Sequence, residues 1–112
     1  MEIKKGEQTM IRGTTPTLLF NLPFSADLIK SAEITIQYGC ETNKDLIIKY
    51  LKDCELGERS ISTMLTQEET LLLPAPSYAH IQLRIITTDD VVLATEPQAV
   101  TVKKLLAEDV IE

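Results

Sequence analysis

Apolar and polar residues alternate along most of this chain with the two-residue period of β-strands. The clearest run is His80 to Thr87, with Ile81, Leu83 and Ile85 on one side and His80, Gln82 and Arg84 on the other. Glu33 to Tyr38 alternates in the same way and aligns Ile34, Ile36 and Tyr38; its β-branched residues reinforce the strand. Thr17 to Leu22 predicts a strand with Leu18, Phe20 and Leu22 on one face. Pro16 has no N–H to give to a ladder, which suits a strand's first residue or an edge, and Pro23 ends or bends the strand. From Asp45 to Cys54 both sides are apolar, with Leu46, Ile48 and Tyr50 on one and Ile47 and Leu51 flanking Lys49 on the other. Ser60 to Leu65, Val91 to Thr95 and Gln98 to Lys103 complete the set, the last aligning Val100 with Val102.

The segments between these runs read as turns and single helical turns. Gly39 to Lys44, Gly57-Glu58 and Asp89-Asp90 carry turn residues, and the last predicts a hairpin. Ser25 to Ser31 is too short for an independent helix. It allows one turn capped by Ser25, with Leu28 and Ile29 plugging one end of a core, or an irregular loop. Thr66-Gln67-Glu68-Glu69 matches a capping box, in which the Thr66 hydroxyl and the Glu69 carboxylate each satisfy a backbone amide of the other. Pro74 and Pro76 keep that turn brief. Residues 1–14 are polar, contain Gly6 and Gly13, and read as a loose arm that allows a short edge strand. Residues 105–112 form a tail that could be a short helix.

About seven short strands with no long helix between them predict two packed antiparallel sheets rather than a parallel α/β sheet. The fold class expected is therefore all-β. An immunoglobulin-like β-sandwich with one or two short helical turns is the leading case. The 112 residues fit one domain spanning 1–112. Aromatic residues are only 4% and Trp is absent, so the core must rest on Leu, Ile and Val.

Net charge is −6, which repels both nucleic-acid phosphates and anionic lipid surfaces. No stretch approaches the roughly 20 apolar residues of a membrane span. The opening Met1-Glu2-Ile3-Lys4-Lys5-Gly6 has no apolar core followed by small residues, so no secretory leader is expected. Cys40 and Cys54 are separated by a strand, which would hold them too far apart for a disulfide. Two cysteines and the single His80 do not supply a zinc site, and no cofactor is expected.

Residues that could carry chemistry each have a simpler reading. His80 lies on the outward register of its strand, with no nucleophile elbow nearby. Glu68 and Glu69 are neighbours whose side chains diverge, and Glu69 already closes a cap. Asp89-Asp90 turns a hairpin and lacks the ligand pattern of a calcium loop. No catalytic or metal site is expected, and sheet edges and termini remain as surfaces for contact. Leu105, Leu106, Val110 and Ile111 either cover the chain's own core or dock on a neighbouring chain.

Three stretches carry a family resemblance. They are Arg12-Gly13-Thr14-Thr15-Pro16-Thr17 leading into Leu18, Leu22-Pro23-Phe24 followed by Asp27-Leu28-Ile29-Lys30, and Leu65-Thr66-Gln67-Glu68-Glu69-Thr70 followed by Gln82-Leu83-Arg84. In this order they resemble small prophage proteins of Gram-positive bacteria that lie among tail genes. The opening basic-Gly-Thr turn is also similar to the immunoglobulin-like N-terminal domain of phage upper baseplate proteins. The resemblance implies a tail or baseplate component without catalysis. Its partners would be other phage structural proteins or a second copy of itself. It would be made in the bacterial cytoplasm and carried in the virion if assembled. Two other functions fit the same features. One is a carbohydrate-binding module using Phe20, Phe24, Tyr38, Tyr50 or Tyr78. The other is a small cytoplasmic regulator that binds an enzyme through an exposed edge strand.

Overall fold

The computed structural model describes residues 2–3, 9–40, 43–75, 77–104 and 106. In chain order the strands are β1 (Glu2–Ile3), β2 (Thr9–Ile11), β3 (Thr17–Asn21), β4 (Ile29–Cys40), β5 (Asn43–Tyr50), β6 (Glu55–Leu56) and β7 (Ser60–Met64). The helix α1 (Gln67–Leu71) follows, and then β8 (Ser77–Thr87), β9 (Val92–Ala94) and β10 (Gln98–Lys103). Two sheets result. The smaller has the order β1-β3-β7-β6, and the larger β2-β10-β8-β4-β5, with β9 also paired to β8. The chain is all-β, a sandwich of two sheets.

β8 organises the larger sheet. One of its edges pairs with β4 from His80 to Thr87. The other edge is shared, β10 taking Ser77 to Ile81 and β9 taking Arg84 to Ile86. Pro97 cannot donate to a ladder, and the break it makes between β9 and β10 is bridged by Thr95. Thr95 donates its N–H to the Leu83 carbonyl at 2.9 Å, and its hydroxyl accepts the Leu83 N–H at 3.0 Å.

The core is aliphatic. Leu18, Phe20 and Ile61 of the smaller sheet face Ile34, Ile36, Ile81, Leu83, Ile85, Val100 and Val102 of the larger, all of them buried. The predicted inward positions of β3, β4, β8 and β10 are the observed ones, except that Tyr38 is only partly buried. Each fully buried Leu, Ile, Val or Phe contributes roughly 1.5–3 kcal/mol of transfer free energy before chain entropy is counted.

Several expectations need correction. The polar arm 1–14 contributes two strands, one to each sheet, and Met10 of β2 is 2% exposed. The β2–β10 pair is parallel, so the sandwich is not wholly antiparallel. Ten strands are described rather than about seven, because β1, β2 and β6 are each two or three residues long and carry no readable alternation. Leu28 does not plug the core and is 46% exposed. The turn capped by Ser25 is a 3-10 helix over Ala26–Leu28, whose three-residue repeat turns Ala26 and Ile29 inward instead. The strand expected to reach Cys54 stops at Tyr50, where a second 3-10 turn, Leu51–Asp53, begins. Strand pairing extends into the expected Gly39–Lys44 turn, since Cys40 pairs with Asn43. The possible helix over 105–112 lies outside the described residues except for Leu106.

Candidate interaction surface

The chemically capable side chains are dispersed. Among the described residues no three of His, Cys, Asp and Glu gather closely enough to hold a metal ion. His80 is exposed on the outer side of β8, as its register predicts. Asp89 and Asp90 turn the β8–β9 hairpin; Asp90 takes a left-handed φ of 63° and pairs with Lys30 at 2.6 Å. Cys54 donates its thiol to the Tyr50 carbonyl at 3.3 Å. Burial and the neighbouring Asp53 charge push the thiol's pKa up against the smaller pull of Thr63 and Lys49, which opposes nucleophilic use. Cys40 ends β4 at the turn of the β4–β5 hairpin and Cys54 follows the far end of β5, so the backbone places them at opposite ends of that strand.

Two of the stretches that carry the family resemblance pack against each other. The Thr66–Glu69 capping box forms as predicted, with the Thr66 hydroxyl accepting the Glu69 N–H at 3.1 Å and Glu69 accepting the Thr66 N–H at 2.9 Å. The helix it starts is docked by Thr70, which is fully buried. The Thr70 hydroxyl accepts the Gly13 N–H at 2.9 Å and lies 2.9 Å from the Thr14 carbonyl it donates to. Arg12 donates to the Leu71 carbonyl at 2.6 Å. Gly13 has a φ of 76°, a conformation costly for any residue with a Cβ. The Arg-Gly-Thr turn and the capping helix are therefore one structural lock.

Glu69 also reaches the larger sheet. Lys49 of β5, on the inward register beside Ile47, bonds the Glu69 carboxylate at 2.7 Å. Burial raises the Glu69 pKa, but the Lys49 ammonium and the Thr66 amide outweigh it and hold the carboxyl below its ordinary value. Sequence reading missed this pair because the partners are 20 residues apart on different elements.

The two outer faces of the sandwich differ. On the smaller sheet, Thr17, Asn21, Ser60 and Ser62 share the outer register with half-buried Leu19 and with Met64, exposed at its end. On the larger sheet, registered neighbours make a polar centre: Gln37 beside His80, Thr35 beside Gln82, and Glu33 ion-paired to Arg84 at 2.8 Å. Exposed apolar side chains flank this centre. Leu46 and Tyr50 lie along β5, Ile86 and Val92 at one end, and Tyr78, 63% exposed, at the other. A hollow of about 270 Å³ opens between Ser31, Glu33, Arg84, Ile86 and Val92. A smaller one of about 100 Å³ lies between Gln37, Leu46, His80 and Pro97.

β5 also ends the larger sheet, and among the described residues no strand pairs with its outer side. Tyr50 donates its N–H to the Asp53 carboxylate at 3.1 Å, and its carbonyl accepts the Cys54 thiol. Both backbone groups of Tyr50 thus point away from β4. Of the tail residues expected to make contacts, Leu106 is exposed, while Leu105, Val110 and Ile111 lie outside the described residues. Among the described residues no helix is long and apolar enough to cross a membrane. No protein-family model matches this chain, and no curated protein is similar to it.

Proposed function

We propose that this chain is a non-catalytic interaction module of a prophage tail or baseplate, acting through the outer face of its larger sheet. The observation that carries the contact reading is the asymmetry of the two outer faces. Exposed Leu46, Tyr50, Tyr78, Ile86 and Val92 gather on one, while the other carries Ser, Thr and Asn with one exposed apolar side chain, Met64, and half-buried Leu19. Mixed surfaces of this kind suit a non-obligate protein interface, whose overall polarity is near that of ordinary protein surface. The tail assignment draws its support from the resemblance of the Arg12–Thr17 and Leu65–Thr70 stretches.

The strand orders support an immunoglobulin-like reading of the sandwich. With β3, β4, β5, β6, β7 and β8 taken as strands B, C, C′, D, E and F, β9–β10 becomes G and β1–β2 a divided A. The sheets then read A-B-E-D and A-G-F-C-C′, the arrangement of that fold. A carbohydrate platform is the weaker reading, because the two exposed tyrosines of the face do not adjoin. Tyr50 pairs with Glu33, which pairs with Arg84 of β8, and Tyr78 lies six residues from Arg84 along that strand, so the two tyrosines are roughly 20 Å apart at about 3.3 Å per residue.

The test is affinity capture of phage proteins from an induced lysogen with the tagged wild-type chain and with an Ile86→Lys/Val92→Lys variant. Tail or baseplate proteins captured by the wild type and lost in the folded variant are the expected result. Equal capture by both, or capture of metabolic enzymes instead, overturns the reading.

A further inference from the structure

We infer that α1 is a strap with two coupled fastenings, the Lys49–Glu69 pair on the β5 side and the Thr70–Gly13 bridge on the β2 side, which open and close together. A change at β5 is then felt at β2, although β10, β8 and β4 separate the two strands in the larger sheet.

The physical basis is the length of α1. Five residues form little more than one turn, and a helix that short does not hold its shape in water unaided. The segment is therefore either docked and wound or undocked and melted. Leu65 and Leu73, both fully buried, pin the chain on either side of it. Between these pins the turn is held by polar side chains.

On the β5 side, the Glu69 carboxylate has two partners. It accepts the Thr66 N–H at 2.9 Å, which closes the cap, and bonds the Lys49 ammonium at 2.7 Å. The two side chains are only 14% and 24% exposed, so salt and water screen this pair less than one on the surface. On the β2 side, the Thr70 hydroxyl bonds the Gly13 N–H and the Thr14 carbonyl, and the Leu71 carbonyl accepts Arg12. Arg12 also donates its backbone N–H to the Lys103 carbonyl at 3.0 Å, next to the β2–β10 pairing. Polar contacts thus run from β5 through three consecutive residues, Glu69, Thr70 and Leu71, to the end of β2.

Each fastening holds only the wound form. The capping carboxylate, the Thr70 hydroxyl and the Leu71 carbonyl keep their relative places only while the turn is intact. Two contacts that favour the same state of one two-state element are coupled, and the coupling is reciprocal. When the turn melts, the buried Gly13 amide loses its acceptor and Arg12 loses the Leu71 carbonyl. The three-residue β2 is then left with its pairing to β10 and little else at that end.

Hydrogen exchange of the full chain, followed by NMR in low denaturant, tests this. In the wild type, the Gly13 amide and the Thr70 amide, which bonds the Thr66 carbonyl at 3.1 Å, are expected to share one opening free energy and one shallow denaturant slope. Both should lie below the values for the Leu83 amide, buried in β8. Lys49→Met removes the ammonium and keeps an apolar stem. It is expected to speed Gly13 exchange on the order of tenfold with the shallow slope retained. Lys30→Met breaks only the exposed pair with Asp90 and should leave Gly13 unchanged. An unchanged Gly13 rate in Lys49→Met overturns the inference. If Lys49→Met does not fold, the wild type decides alone: different openings for Gly13 and Thr70, or exchange of both only with Leu83, overturn the strap.

Discussion

Replacing Thr70 by Val tests whether the lock between the Arg12–Thr14 turn and α1 depends on one hydroxyl. Val keeps the shape of Thr but can neither accept the Gly13 N–H nor donate to the Thr14 carbonyl, both 2.9 Å away. The Gly13 amide is buried, so water does not replace the lost partner there. A buried group left unsatisfied costs about 1–3 kcal/mol. The Thr14 carbonyl lies in a partly buried bond and recovers some hydration, so its cost sits at the lower end of that range. The added methyl returns about 0.8 kcal/mol of apolar burial. The net expectation is a loss of about 1.5–3 kcal/mol, or a Tm fall of roughly 6–12 °C for a domain this size. Thr70→Ser retains the hydroxyl and loses one buried methyl, for about 1 kcal/mol. Urea denaturation followed by circular dichroism measures all three proteins, and an unchanged m-value keeps the comparison two-state. If Thr70→Ser costs as much as Thr70→Val, packing of the methyl holds the lock and the hydroxyl bridge does not.

The remaining predictions use the same assay or a simple variant of it. Gly13→Ala should cost about 1–2 kcal/mol, because the φ of 76° puts a Cβ in the left-handed region; a loss under about 0.3 kcal/mol would contradict it. Glu69→Gln retains the cap but not the charge that Lys49 holds. Since the folded pKa of Glu69 is depressed, its charge contributes stability above the unfolded value, and that contribution is lost as pH falls through the folded pKa. The variant should therefore show a flatter loss of stability below about pH 4.3 than the wild type, and parallel acid limbs would refute the pairing. In a Cys40→Ser background, Cys54 should be alkylated at pH 8 several-fold more slowly in the folded chain than in urea, because burial raises its pKa; equal rates would count against it.

What the sequence discloses here follows how local each signal is. The inward positions of β3, β4, β8 and β10 are readable because alternation over five or more residues needs no knowledge of the partner. The capping box is readable because both of its residues lie within one turn. β2 is not, because a three-residue strand has no period and its partner β10 lies some ninety residues away. The orientation of β5 is not readable either. Its face with more apolar residues, Leu46, Ile48 and Tyr50, is the outer one, while Ile47 and Lys49 turn inward. The cause is the register with β4, which sets Ile47 beside Ile36 in the core and brings the Lys49 ammonium to Glu69. The candidate surface is the consequence of that inversion, so it could be found only once the long-range partners of β5 were known.

The same inversion limits what the β5 edge can do. A long free edge invites open-ended pairing, and proteins blunt such edges with inward-pointing charges and early stops. β5 has both. Lys49 points inward and is held by Glu69, so a slip of one residue would bring its ammonium out of that pair and turn Ile47 toward solvent. Asp53 and Cys54 occupy the backbone groups of Tyr50, which ends the available ladder at Ile48. Among the described residues the other edges, β1, β2, β6 and β9, are two or three residues long and offer little to a second chain. The stretch of β5 that could accept another strand is therefore cut short at Ile48, which limits open-ended growth from this edge.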